Sequence, residues 1–128
     1  MLRAHSIVLG VLLATGPCFA AAADAQRDKD MERLAQAKGC NTCHTAPAAK
    51  DNLPIGPTWP AVAKRYKGQK DAVNRLTRIV VEGSGPGYGG RHWKDQAKGA
   101  AMPSNAMGAP INETDARKLV QWILVSDQ

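Results

Sequence analysis

The sequence predicts a single all-α domain of about four short helices joined by loops. Two observations favour this fold class: apolar residues recur at helical spacing in four separate segments, and no segment reads as a good β-hairpin. A chain of 128 residues, 44% hydrophobic and 22% charged, is long enough for one core and short for two domains. We therefore expect one domain built on one core.

The chain begins with the layout of a secretory signal peptide. A basic residue, Arg3, precedes an apolar run over about 7–14, and small residues follow the run. This run is too short to span a bilayer, which requires about 20 apolar residues. We assign residues 1–23 to a signal peptide and 24–128 to the exported domain, with the cleavage point open between 20 and 25. The assignment predicts a periplasmic protein with no stable membrane insertion after the signal is removed.

Cys18 lies inside the predicted signal peptide and is expected to leave with it. The proline before Cys18 does not match the small residue that lipoprotein processing sites favour. The exported chain then keeps Cys40 and Cys43 as its only cysteines, and His44 and His92 as its only histidines.

The segment DKDMERLAQAKG predicts the first helix. It is rich in helix formers, places Met31, Leu34 and Ala35 on one side, and stops at Gly39. Residues 24 to about 30 are expected to be a loose lead-in to this helix.

Two short segments predict the second and third helices. TWPAVAKRYKG suits a short helix, and DAVNRLTRIVVEG follows it with apolar residues at helical spacing. The inward positions predicted for the third helix are Ala72, Val73, Leu76, Ile79 and Val80.

The segment NETDARKLVQWILVSDQ predicts the last helix, capped near Asn112 or Thr114. We expect Trp122 to add to the contact with the first helix. Its predicted apolar stripe comprises Ala116, Leu119, Val120, Ile123 and Leu124.

The segment GCNTCHTAP places two thiols and an imidazole within five positions, at Cys40, Cys43 and His44. An oxidising compartment permits a disulfide here, but a catalytic dithiol of the thioredoxin type follows a strand, whereas a predicted helix precedes Cys40. A structural zinc ion needs four nitrogen or sulfur ligands, and only His92 remains to complete such a set. Both alternatives leave the pattern poorly explained.

The pattern C-x-x-C-H is typical of covalent haem attachment. The two thiols add to the haem vinyl groups as thioethers, and the adjacent imidazole binds the iron from one face. Two intervening residues let the backbone make roughly one helical turn, so both sulfurs meet the same porphyrin edge. We predict one haem c, attached through Cys40 and Cys43 and ligated by His44, with the helices and loops wrapped around it.

The residues themselves leave three candidates for the second iron ligand: Met102, Met107 and His92. Met102 lies in the helix-breaking stretch AAMPSNAMG, which can cross a haem face as an ordered loop. A histidine ligand would give a bis-imidazole haem with a lower reduction potential than a methionine ligand.

Four segments, in order, resemble the small bacterial class I cytochromes c, the monohaem electron carriers of the periplasm. These segments are GCNTCH, GPTWPAVAKRYKG, MPSNA and TDARKLVQWIL, and together they span about 35–125. The resemblance implies a cytochrome c-like domain in which Met102 is the second iron ligand. It also implies that the Pro57 carbonyl accepts a hydrogen bond from the His44 imidazole, and that Asn105 approaches the methionine sulfur.

One region departs from the pattern of the compact family members. The stretch over 83–101 is longer than they use and is crowded with glycine. Relatives commonly place a tryptophan of this region on a haem propionate, which makes Trp93 a candidate for that contact. Arg78 and Arg91 could neutralise propionates equally well, or be ordinary solvated side chains.

An iron with sulfur and imidazole on its two faces has no open position for a substrate. We therefore predict a one-electron carrier between a respiratory donor and an oxidase or reductase, and not an enzyme. The alternative is a cytochrome subunit of a redox enzyme, or a small haem enzyme in which the Gly-rich loop moves and releases Met102. A haem-based gas sensor would need an output domain, and the sequence shows none.

The charge balance bears on the partners. The full chain has a formal net charge of +6, and loss of Arg3 with the signal lowers it by one. Basic residues concentrate in AKRYKGQK and recur at Arg91, Lys94 and Lys98. They either steer docking to redox proteins with acidic surfaces or are solvated charges of a soluble protein. We expect redox protein partners and no nucleic acid, since no nucleic-acid recognition motif is visible.

Overall fold

The computed structural model describes residues 18–44, 53–85, 93, 97–98, 100–104 and 110–125. Within these ranges it contains four α-helices and no strand. They are α1 (Cys18–Ala37), α2 (Trp59–Tyr66), α3 (Ala72–Glu82) and α4 (Glu113–Val125), and a single 3-10 turn, Cys40–Thr42, follows α1. The prediction of an all-α fold is confirmed.

Helix α1 begins earlier than predicted. The expectation of a loose lead-in over 24–30 is wrong, because these residues are helical. The physical reason is local: five of the six residues over 20–25 are alanine, the strongest helix former, and the chain over 18–30 contains no glycine or proline. Side chains over 21–27 are exposed, so these residues of α1 contribute nothing to the core. The signal-peptide boundary stays a prediction.

Gly39 ends α1 and turns the chain toward the cysteines. Its φ of 71° is left-handed, a conformation that glycine adopts without steric cost. The 3-10 turn follows at once, and the Cys40 carbonyl accepts hydrogen bonds from the N–H groups of Cys43 and His44. Gly39 therefore sets the direction in which the thiols and the imidazole are presented.

Helix α4 is the centre of the packing, since α1, α2 and α3 all contact it. Its buried side chains are Ala116, Leu119, Val120, Trp122 and Ile123. The Trp122 indole N–H donates a hydrogen bond to Asp28 Oδ1 of α1 at 3.0 Å. The predicted contact between Trp122 and the first helix is therefore confirmed.

Of the two predicted caps, Asn112 is the one that begins α4. Its Oδ1 accepts a hydrogen bond from the Asp115 N–H at 2.8 Å, and its amide donates to Asp115 Oδ2 at 2.9 Å. This satisfies one of the free N–H groups at the start of the helix.

Helix α2 starts after Thr58, whose hydroxyl accepts a hydrogen bond from the Ala61 N–H. Helix α3 ends at Gly83, which has a φ of 84°. Of the predicted inward residues of α3, Ala72 is buried and Val73 is half-buried. Leu76, Ile79 and Val80 are also only half-buried. They are half-buried because they line a cleft between the helices.

Candidate functional site

One cleft gathers the predicted site residues that the structure describes. Its empty volume, including the part open to solvent, is about 1350 Å³. Cys40, Cys43, His44, Pro57, Trp93 and Met102 all line it. The remaining predicted site residue, Asn105, lies outside the described residues, as do Met107 and His92.

The walls of the cleft are largely apolar and incompletely covered. Helices α3 and α4 contribute Leu76, Ile79, Val80, Leu119, Val120 and Ile123. Ile55, also in the lining, is 42% exposed. Apolar surface gains roughly 25 cal/mol per Å² when it is removed from water. The cleft therefore suits a large apolar ligand that completes the core, which is what a haem would do.

Cys40 and Cys43 are free thiols at the edge of this cleft, both half-buried. Burial raises the pKa of the Cys40 thiol above its ordinary value of 9.0, with a smaller contribution from Cys43 in the same direction. Both sulfurs reach the cleft from one turn of chain, because the 3-10 turn brings residues three apart to the same side.

The His44 ring is held by a hydrogen bond through one nitrogen. Nδ1 lies 2.6 Å from the Pro57 carbonyl oxygen, which can only accept a hydrogen bond. Nδ1 therefore carries the proton, and Nε2 keeps a free lone pair. Burial lowers the pKa of His44, and the Pro57 carbonyl opposes this shift in part. The neutral imidazole that results is the form that binds metals.

Two further neighbours, which the sequence did not identify as site residues, fix the plane of the His44 ring. The Trp59 indole stacks on it, with centroids 4.4 Å apart and planes 11° apart. Gly56 touches it from the backbone, so that an added Cβ would lie 3.1 Å from His44 Cε1. The Gly56 N–H also donates to the Cys43 carbonyl at 2.8 Å. A glycine beside Pro57 was visible in the sequence, but the spacing of residues does not predict its contact with a ring.

Met102 lines the same cleft and is held through its backbone. Its N–H donates to Ser84 Oγ at 2.8 Å, and its carbonyl accepts from the Ser84 N–H at 3.0 Å. Ser84 directly follows Gly83, at the end of α3. Sequence reasoning missed Ser84, because a contact between two loop segments leaves no periodic pattern.

Trp93 is buried in the wall of the cleft, at 6% exposure. The Arg65 guanidinium lies 4.9 Å from its ring centroid, and the Tyr66 ring packs against it at 6.2 Å. The Trp93 carbonyl accepts from the Ala97 N–H at 2.9 Å, and the next N–H, of Lys98, donates to the Pro54 carbonyl at 2.9 Å. The described part of the long loop is thus tied to the segment that carries Gly56 and Pro57.

A helical fold around an apolar cleft, with two thiols and a neutral imidazole at its edge, defines a c-type haem protein. The chain belongs to the cytochrome c family, since the family model described as Cytochrome c matches residues 29–126. It is 38% identical over 95 residues to cytochrome c-552 of Hydrogenobacter thermophilus, covering 73% of this chain and 78% of that protein. It is 33% identical over 113 residues to cytochrome c-551 of Pseudomonas aeruginosa, covering 88% of this chain and 89% of that one. Cytochrome c2 of Rhodocyclus tenuis is 38% identical over 95 residues, covering 74% of this chain and 90% of that protein.

Family membership confirms the predicted cofactor. Cytochromes c bind haem c covalently through a C-x-x-C-H motif, and Cys40 and Cys43 have that spacing. The protein is therefore a haem-based electron carrier rather than an enzyme. No helix in the described part of the chain combines the length and the apolar character that crossing a bilayer requires.

Proposed function

We propose that this protein is a periplasmic one-electron carrier with His44 and Met102 as the two axial iron ligands. It passes electrons between a respiratory donor and an oxidase or reductase. The observation that supports this most directly is that His44 and Met102 line one cleft, with the His44 proton committed to Pro57.

A haem bound in this cleft supplies an iron that cycles between the ferrous and ferric states. The residues around the haem would limit its chemistry to this change of oxidation state. His44 offers Nε2 because Pro57 holds the proton on Nδ1, and Met102 offers a thioether sulfur. With both positions filled by the chain, no position is left for a substrate.

The other predicted contacts belong to the same proposal. Trp93, in the cleft wall beside Arg65, is the expected donor to a haem propionate. Asn105 is expected to approach the Met102 sulfur. Basic side chains of the AKRYKGQK segment are expected to steer acidic redox partners toward the protein.

The test is the absorption spectrum of the ferric holoprotein. Met102→Ala should abolish the sulfur-to-iron charge-transfer band, open the iron to cyanide, and lower the reduction potential. Met107→Ala and His92→Ala are the matched controls and should leave the spectrum nearly unchanged. If Met107→Ala alone removes the band, the ligand is misassigned but the carrier function stands. A high-spin ferric spectrum of the unmutated protein would overturn the proposal and favour a haem enzyme.

A further inference from the structure

Ser84 and Met102 make a reciprocal pair of hydrogen bonds. The Met102 N–H donates to Ser84 Oγ at 2.8 Å, and the Ser84 N–H donates to the Met102 carbonyl at 3.0 Å. Both backbone polar groups of Met102 are therefore satisfied by one residue that lies 18 positions earlier in the chain. Residues 100–104 form no regular secondary structure, so no helix or strand holds Met102 in place.

Gly83 lets the end of α3 approach this segment backbone to backbone. A Cβ at Gly83 would lie 2.8 Å from the Met102 carbonyl oxygen and 2.9 Å from the Ser104 nitrogen. Its φ of 84° is also one that other residues rarely adopt. Gly83 thus supplies the space, and Ser84 supplies the hydrogen bonds that use it.

We propose that Ser84 is the positioning residue for Met102, and that its hydroxyl sets how readily the methionine is displaced by a competing ligand. The inference rests on the proposed His44 and Met102 ligation. An external ligand can enter only when the Met102 segment moves away, so its apparent affinity includes the free energy of that opening. Each hydrogen bond that holds the segment raises this free energy.

The size of the effect follows from the single hydrogen bond that the Ser84 hydroxyl makes. A net contribution typical of one hydrogen bond corresponds to roughly a two- to tenfold change in an equilibrium constant. Ser84→Ala keeps the backbone bond from residue 84 but removes the acceptor of the Met102 N–H. Ser84→Thr keeps a hydroxyl at the same position and should restore the bond.

The experiment is a titration of the ferric holoprotein with imidazole, followed by loss of the sulfur-to-iron band. Ser84→Ala should bind imidazole about two- to tenfold more tightly than the unmutated protein. Ser84→Thr should bind imidazole with the affinity of the unmutated protein. Ser104→Ala, which removes a hydroxyl from the segment that carries Met102, should also leave that affinity unchanged. Asn112→Ala, which removes the side-chain cap of α4 and leaves both hydrogen bonds between Ser84 and Met102 in place, controls for general destabilisation.

The outcomes separate this proposal from the one on which it rests. An unmutated protein without the sulfur-to-iron band overturns Met102 ligation itself. If the band is present and Met102→Ala removes it, an unchanged imidazole affinity in Ser84→Ala overturns the positioning role alone. An equal change in the imidazole affinity of Asn112→Ala also overturns the positioning role, because the effect would then come from general destabilisation.

A second measurement needs no variant. Amide hydrogen exchange in the holoprotein should show the Met102 N–H protected, since it is bonded to Ser84 Oγ and Met102 is half-buried. Exchange of that amide at the rate of a free peptide would contradict the proposal even if Ser84→Ala does not accumulate.

Discussion

The Pro57 carbonyl oxygen accepts a hydrogen bond from His44 Nδ1 at 2.6 Å, and this contact determines which ring nitrogen can bind iron. The tautomer alone would leave the ring free to rotate about its bonds. The Trp59 indole, stacked at 4.4 Å, and the Gly56 backbone restrict its plane from two further directions. The GPTWP segment therefore acts as a unit that prepares the imidazole for metal binding.

The first prediction concerns Gly56. Gly56→Ala would place a methyl group 3.1 Å from His44 Cε1, closer than most real contacts of this kind, so the ring must tilt or the GPTWP segment must shift. We expect a lower yield of holoprotein and an altered Soret band. The measurement is the absorption spectrum of the purified ferric and ferrous protein.

Gly68→Ala is the matched control for that variant. Gly68 has a φ of 79° and no atom within 4 Å of an added Cβ, so the substitution strains the backbone without touching a neighbour. It should lower the free energy of unfolding by about 1 kcal/mol and leave the Soret band in place. A Soret change in Gly68→Ala equal to that in Gly56→Ala would show that ring contact is not the cause.

The second prediction concerns acid stability. The Asn112 side chain, and after it Lys118, donate hydrogen bonds that hold the pKa of Asp115 below its ordinary value of 3.8. On acidification the unfolded chain therefore takes up a proton at this carboxyl before the folded chain does. The contribution of Asp115 to the free energy of unfolding is fully present when the pH is above the ordinary pKa. It is lost as the pH falls through the lower pKa of the folded protein.

Asp115→Asn should accordingly weaken the pH dependence of stability in the acid range around and below pH 3.8, and Asn112→Ala should do so in part. Denaturant unfolding of the holoprotein at a series of pH values measures this. Thr114→Ala, in the same helical turn but without a titrating group, should keep the original pH profile. A profile unchanged by Asp115→Asn would contradict the prediction.

The third prediction concerns processing of the exported protein. Its mass should correspond to a chain that begins after a residue between 20 and 25, plus one haem that acidified acetone does not extract. The reason is that two thioether bonds through Cys40 and Cys43 survive acid, whereas axial ligands do not. Cys18→Ala, the control, should be exported and loaded normally. Haem that extracts freely would contradict covalent attachment, and lipid on Cys18 would contradict removal of Cys18 with the signal peptide.

Those parts of the fold that depend on neighbouring residues could be predicted from the sequence. The helical spacing of Leu76, Ile79 and Val80 placed α3, and the glycines at 39 and 83 marked where α1 and α3 end. The prediction for the start of α1 is wrong, because an alanine-rich sequence occurs both at the end of a signal peptide and in a strong helix. Local composition does not distinguish these two uses.

The same distinction between local and long-range features applies to the residues of the site. The spacing of Cys40, Cys43 and His44 is local and pointed to haem directly, whereas the contact of Pro57 with His44 was expected only through resemblance to a family. The stacking of Trp59 depends on the relative orientation of two rings, which composition and periodicity do not encode. The pairing of Ser84 with Met102 joins irregular segments and is visible only in three dimensions.

Two side-chain hydrogen bonds of the fold differ in the length of chain that each one closes. His44 and Pro57 are 13 residues apart, whereas Trp122 and Asp28 are 94 apart. The entropy lost on closing a flexible loop grows with the logarithm of its length, so the longer closure costs about 2 kcal/mol more than the shorter. During folding, the imidazole can therefore be oriented by nearby chain at low entropic cost, before the first and last helices meet.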